Sequence, residues 1–327
     1  PKVTRYSWSS AWQTEPSYVG RPPWFAAATI IMTTDRLSVT DRLFVLLQYL
    51  LPQHAISRLV HRATRVRTTW FKNALIRTFI RTFRVDMADA VDSDVNAYEH
   101  FNAFFTRSLH PESRPLPESP EDLACPVDGT VSMTGQGLDG ELIQAKDRRF
   151  RLDDLLGDRD MAEELSGGVF ATLYLAPFDY HRIHMPADGR LTRMHYIPGR
   201  LFSVNAATVR SVPRLFARNE RVVCLFETPH GPMAMVLVGA LNVGSIETVW
   251  AGEVAPSRPR ERRTVAYDAG INLGRGEEMG RFNMGSTVIV VFPAGRVSLK
   301  DDLDPGEQVR MGQILGRWVS RVSQSPA

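Results

Sequence analysis

The sequence predicts an α+β protein, with amphipathic N-terminal helices followed by a mainly β domain. Two changes of texture carry this. Between Asp41 and Arg84 apolar residues recur at helical spacing. After about residue 96, short β-branched runs alternate with Gly, Pro and Asp turns. At 327 residues with 43% hydrophobic content, the chain can hold one large or two small globular domains.

Residues 1–31 read as a leader or upstream extension, expected to be poorly ordered, with Met32 a natural start. The apolar runs Trp24 to Met32 and Leu43 to Leu51 fall well short of the ~20 residues a membrane span needs. Pro22-Pro23 also spoils the first run as a signal peptide.

Residues 32–95 read as amphipathic, membrane-facing helices. Leu43, Leu46, Leu47, Leu50 and Leu51 follow the spacing of one helix face, and Pro52 ends or kinks that helix. A second stripe runs Phe71, Leu75, Ile76, Phe79, Ile80 and Phe83. No acidic residue stands between Asp41 and Asp86, while Arg42, Arg58, Arg62, Arg65, Arg67, Lys72, Arg77, Arg81 and Arg84 do. Apolar stripes beside basic residues describe a helix lying in an anionic membrane interface. The bland alternative is a helix pair packed on the protein's own core with solvated arginines. Nucleic acid is disfavoured, since no zinc-finger spacing or aromatic RNA-binding motif accompanies the block.

Residues 96–327 read as the β-rich domain. Its expected strands are Thr130 to Met133, Gly168 to Leu175, Arg221 to Glu227, Ala234 to Val243 and Thr287 to Phe292. Helix interrupts near Leu152 to Leu165 and Ser203 to Arg210. Gly135-Gln136-Gly137-Leu138-Asp139-Gly140 fits a dinucleotide-binding pattern but leads into a charged, strand-like stretch instead of a helix, so a hairpin loop is expected. Cys125 and Cys224 give no disulfide framework and read as small buried hydrophobes.

Gly285-Ser286-Thr287 stands at the mouth of the apolar run Val288-Ile289-Val290-Val291-Phe292. A serine after a glycine can attack the carbonyl of its own preceding peptide bond, because glycine lets the backbone bend tightly there. By itself the tripeptide is also ordinary turn chemistry. His181 and His184, bracketed by Pro177 and Pro186, admit three readings: acid–base work, satisfied structural histidines, or zinc ligation. Asp128 precedes Gly129, which by itself describes a turn.

Several segments occur in an order that resembles the phosphatidylserine decarboxylases. They are Phe104-Phe105-Thr106-Arg107-Ser108-Leu109 with Arg114-Pro115-Leu116, then Cys125-Pro126-Val127-Asp128-Gly129-Thr130-Val131. Pro177-Phe178-Asp179-Tyr180-His181-Arg182-Ile183-His184-Met185-Pro186 and Pro198-Gly199-Arg200-Leu201-Phe202-Ser203-Val204-Asn205 follow. Asn219-Glu220-Arg221-Val222-Val223, Val238 to Ile246 and Glu278 to Thr287 complete the series. The resemblance spans about 37–317 and is nearest to the bacterial membrane-associated enzymes; Met284 stands where leucine is usual. The segment Asp304 to Val309 with Gly312 to Gly316 resembles part of a lipoyl-like barrel sandwich.

The resemblance implies a β-rich catalytic domain that cleaves itself between Gly285 and Ser286. A β chain would end at 285, and an α chain, 286–327, would begin with a pyruvoyl group derived from Ser286. It implies Asp128, His184 and Ser286 as the maturation triad and His181 as the group that protonates the α-carbon after carbon dioxide leaves. It places Ser203 beside the substrate head group; Arg182 and Arg200 are phosphate candidates without support from spacing. The implied reaction converts phosphatidylserine to phosphatidylethanolamine through a Schiff base on the pyruvoyl ketone. A pyridoxal cofactor is disfavoured, because of the four lysines (Lys2, Lys72, Lys146 and Lys300) only Lys146 lies near a candidate motif. The implied setting is the cytoplasmic side of the cell membrane, held peripherally, with the α and β chains associated and a homodimer left open. No resident metal is expected. Two rivals are a zinc hydrolase using His181 and His184, and a membrane-binding barrel without catalytic activity.

Overall fold

The computed structural model describes residues 39–145, 148–241, 245–256 and 259–319; the expected leader, 1–31, lies outside them. Helices α1 (Val39–Leu50), α2 (Gln53–Ala63) and α3 (Thr69–Phe83) come first. The short helices α4 (Phe101–Phe105), α5 (Leu152–Leu156), α6 (Arg159–Glu164), α7 (Ala206–Ser211) and α8 (Leu215–Arg218) interrupt the rest. Pro52 caps α2 with non-helical angles, and α1 and α2 meet at 85°. Asp158 and Asn205 cap α6 and α7 by accepting the amides of Met161 and Thr208.

The strands are β1 (Asp122–Ala124), β2 (Gly129–Gln136), β3 (Glu141–Ala145), β4 (Arg148–Arg151), β5 (Val169–Tyr174) and β6 (Arg182–His184). Then follow β7 (Gly189–Ile197), β8 (Arg221–Thr228), β9 (Gly231–Val238), β10 (Ile246–Thr248), β11 (Gly252–Ala255) and β12 (Arg263–Leu273). The last are β13 (Glu278–Phe282), β14 (Thr287–Phe292), β15 (Val297–Leu299), β16 (Gln308–Val309) and β17 (Ile314–Trp318). The α+β class is as expected, and Gly135 to Gly140 leads from β2 into β3, not into a helix.

The largest sheet runs β12-β7-β8-β9-β14-β5-β2-β16, with antiparallel pairing throughout. Strand β14 lies at its centre, and its residues alternate between two cores, as side chains on a strand must. Val288, Val290 and Phe292 join a core with Leu173, Phe226, Met279, Phe282, Leu315 and Trp318. That core lies against the smaller sheets β11-β10-β13-β6 and β1-β17-β15. Ile289 and Val291 pack on the opposite side with Leu155, Met161, Val209 and Phe216 of the short helices. Burial on both faces explains why β14 reads as an unbroken apolar run. The barrel-sandwich character takes the form of sheets packed face to face; none closes into a barrel.

The two apolar helix stripes meet opposite fates. On α3, Ile76 is fully buried, with Leu75, Phe79, Ile80 and Phe83 packed beside it against Phe101, Phe104 and Phe105. That stripe belongs to the protein's own core. On α1, Leu46 is 58% and Leu50 75% exposed, while the polar Gln48 is 1% exposed. Gln48 accepts the Ser203 amide, and Gln53 accepts the Leu201 amide. Helix α1 therefore docks through Gln48 together with Val45 and Tyr49, whose ring meets Phe202, and turns most of its leucines outward.

Candidate active site

The segment between β13 and β14 is pinned on both sides of the predicted cleavage bond. Phe282 donates its amide to the His181 carbonyl at 3.0 Å, and Asn283 donates its own to Ser245 at 2.9 Å. The Asn283 side chain donates to Ser245 Oγ and accepts from Asn102 Nδ2. Beyond the bond, the Ser286 carbonyl accepts the Leu175 amide at 2.9 Å. Thr287 then enters β14, opposite Tyr174 on one side and Val238 on the other. Between the pins Met284 adopts φ +139°, a conformation that side chains avoid. Such backbone costs about 1–3 kcal/mol and persists only where its surroundings enforce it.

Ser286 is fully buried and its Oγ has no hydrogen-bond partner among the described residues. His181 is equally buried, and its Nε2 also lacks a hydrogen-bond partner among them. Its Nδ1–H donates to the Asp179 carbonyl at 2.8 Å, so Nε2 carries a bare lone pair. A Cβ placed on Gly285 would lie 3.6 Å from that nitrogen and 3.3 Å from the Leu175 carbonyl oxygen, which leaves little room for any other residue. Burial pushes His181 down to about 3; the Asp179 carbonyl opposes this and Arg107 adds to it. The Phe105 ring packs against the imidazole at a 42° tilt, with centroids 4.1 Å apart.

His184 stands three residues on, and a strand sends such residues to opposite faces. Its amide donates to Pro126, its Nδ1–H donates to the Gly276 carbonyl at 2.7 Å, and its Nε2 accepts the Tyr180 hydroxyl at 3.0 Å. Burial lowers its pKa, against the Gly276 hydrogen bond and the charges of Glu278 and Asp128, which raise it; Arg182 lowers it further. Asp128 is held by Arg114, with Nε 2.9 Å from Oδ1 and Nη2 2.5 Å from Oδ2, and accepts the Met311 amide at 2.8 Å.

The structure thus brings His181 to the Gly285–Ser286 bond. Among the described residues no hydrogen bond joins Asp128 to His184, or His184 to Ser286. Ser203 meets Gln48 and Thr208 instead of the cleavage residues. No group of three or more His, Cys, Asp or Glu side chains that could hold a metal occurs among the described residues. Lys72 is bonded to Asn73 and Asn96, and Lys300 to Asp302. Sequence reasoning missed Tyr180, Arg114 and Asn283 as partners in the site, although all three stand inside or beside the segments it singled out.

Comparison with known proteins identifies the family. The family model described as phosphatidylserine decarboxylase matches residues 101–317, and a second, described as PSD, matches 43–84. A phosphatidylserine decarboxylase proenzyme of Ectopseudomonas mendocina (strain ymp) is 54% identical over 281 residues, which is 84% of this chain and 98% of the relative. Proteins of the same name from Pseudomonas aeruginosa (strain LESB58) and Methylococcus capsulatus (strain ATCC 33009 / NCIMB 11132 / Bath) are each 53% identical. They cover 85% and 84% of this chain, and 98% and 96% of their own lengths. With the match extending through both helices and β domain, the chain belongs to the phosphatidylserine decarboxylase family.

Proposed function

We propose that this chain is a proenzyme that cuts itself between Gly285 and Ser286 and then converts phosphatidylserine to phosphatidylethanolamine and carbon dioxide. The observation that carries this reading is the buried, unpartnered Ser286 Oγ in a pinned segment with a strained residue before it. Ser286 Oγ gives up its proton and adds to the Gly285 carbonyl carbon. The peptide C–N bond breaks, an ester forms, and the nitrogen of Ser286 becomes a free amine. Loss of the Ser286 Cα proton then expels the Gly285 carboxylate. Water releases ammonia from the new N-terminal residue and leaves a pyruvoyl group.

The residues present fit that group. Thr287 is paired on both sides, so residue 286 stays fixed after the cut. Met284 and Phe178 pack on the aromatic cluster of Phe101, Phe104 and Phe105, which limits water around the cut. A pyruvoyl carbonyl supplies the electron sink for the pair left when a carboxylate departs as carbon dioxide. His181 Nε2, which faces Gly285, would relay a proton to the substrate α-carbon, taking it up as the carboxylate departs, since burial keeps the ring neutral beforehand. Denaturing mass spectrometry of the purified protein tests the reading. Two chains are expected, the smaller starting with pyruvoyl and then Thr287; a single full-length species from active protein would overturn it.

The substrate of such an enzyme sits in a bilayer, and α1 and α2 are the surface proposed to meet it, peripherally on the cytoplasmic face of the cell membrane. Leu43, Leu46, Leu47, Leu50 and Leu59 are exposed, as is Trp70, with Arg58 and Arg62 also exposed. Arg65 is not part of that surface: it pairs with Glu253 and bonds Ser245. Lys72 is buried. Among the described residues no single helix is long and apolar enough to cross a membrane. Each leucine returned to an apolar phase contributes about 1.5–3 kcal/mol. Replacing Leu46 and Leu50 with glutamate is therefore expected to cut sedimentation with anionic vesicles at least about tenfold, while self-cleavage continues. Arg58→Glu with Arg62→Glu should weaken binding chiefly at low salt. Unchanged sedimentation of both variants would place the membrane surface elsewhere.

A further inference from the structure

Among the described residues Arg107 is a buried charge that the site has not accounted for. It is 6% exposed, yet its guanidinium makes no hydrogen bond and no ion pair among the described residues, and its Nε is fully buried without a partner. Arg221, as deeply buried, shows what such a side chain normally requires. It donates to the carbonyls of Asp154, Leu155, Ala217 and Asn219. A buried cation without partners is costly, so a protein retains one where a ligand completes it.

The surroundings of Arg107 fix it against the site. Arg182 donates to the Thr106 carbonyl and to Ser108 Oγ, clamping both chain neighbours of Arg107 to the strand that follows His181. The guanidinium lies 5.5 Å from the centroid of the Phe104 ring, and the adjacent Phe105 packs on His181. Tyr98, Asp128, Asp179 and Tyr180 are the titratable groups around it, and none bonds to it. Asp128 is already taken by Arg114. Asp179 accepts the Ala176 amide.

We propose that Arg107 receives the phosphodiester of the lipid head group and so sets the substrate beside residue 286. The assignment rests on the decarboxylase reading above. A substrate of that class carries two anions, and the phosphodiester fits better. Its charge is unchanged from substrate to product, so a cation can hold it throughout. A cation on the departing carboxylate would stabilise the ground state against loss of neutral carbon dioxide. Arg182 and Arg200, the candidates in the sequence, are less suited. Arg182 is already bonded to Thr106, Ser108 and Glu278, and Arg200 is exposed.

The test uses the matured enzyme with dihexanoyl phosphatidylserine as substrate and dihexanoyl phosphatidylethanolamine, which keeps the phosphodiester but lacks the carboxylate, as competing product. Intact mass of the wild-type protein judges the self-cleavage reading separately. Arg107→Gln should still cleave. Its KM for the substrate and its Ki for the product should rise together by about tenfold or more, the scale of one charge-assisted hydrogen bond. Arg107→Lys should recover part of both. A raised KM with unchanged Ki would assign Arg107 to the carboxylate and overturn the proposal, as would no change in either constant. If neither variant matures, Arg107 is a structural cation and the proposal also fails.

Discussion

Ser286→Ala should leave the purified chain at one full-length mass and release no carbon dioxide from phosphatidylserine. The substitution removes a single oxygen, and in the uncleaved chain that oxygen has no hydrogen-bond partner among the described residues. No hydrogen bond is lost from the fold, so the melting temperature should match or exceed that of an uncleaved control. The same oxygen is the only atom of the residue able to attack the Gly285 carbonyl, so its loss stops maturation outright. Stability kept and processing lost is the signature of a group held for chemistry. Cleavage of Ser286→Ala at the same bond would mean that another nucleophile, or a protease, makes the cut. Ser286→Cys keeps a nucleophile at the position, and slow or stalled processing is expected of it.

The second expectation separates the histidines. His184→Ala should accumulate uncleaved chain, whereas His181→Ala should still cleave and lose about 10²–10⁴-fold in turnover, the scale of one acid–base group. A base that takes the serine proton must become an imidazolium. Burial disfavours that form at His184 too, but there the Gly276 hydrogen bond and the charges of Glu278 and Asp128 work against it. At His181 burial, with Arg107 beside it, disfavours it and holds the group at about 3. For His184 to act, Tyr180 must turn away from its Nε2. Asp128→Ala should also block maturation, but less cleanly. Asp128 and Arg114 form a pair only 11% and 10% exposed, and breaking such a pair costs about 3–5 kcal/mol. Its melting temperature must therefore be read beside its mass. The opposite outcome, His181→Ala uncleaved and His184→Ala matured, would give the base role to the histidine that stands nearest Gly285.

Where the expected elements were legible, the signal was local. Strand β14 begins at Thr287 and ends at Phe292, as its β-branched run requires. The prolines around His181 and His184 excluded a helix, and the short strand β6 is found there. Helices α1 and α3 follow from periodicity, but periodicity could not say what each apolar face would meet. The leucines of α1 face outward because Gln48 bonds the Ser203 amide and Tyr49 meets Phe202, more than 140 residues away. The phenylalanines of α3 face inward because α4 supplies a matching aromatic surface.

By itself the sequence determined the order of the elements, the nucleophile candidate Ser286 and the residue types gathered for the chemistry. Each depends on side-chain identity and on spacing within a few residues. Only the tertiary structure decided that His181, and not His184, lies against Gly285, that Arg114 takes up the charge of Asp128, and that Arg107 is left without a partner. Those outcomes, the last of them being the lack of a hydrogen bond or ion pair to Arg107 among the described residues, depend on contacts between segments far apart in the chain. Packing, and the need to satisfy each buried polar group once, settles them, and spacing along the sequence carries no record of either.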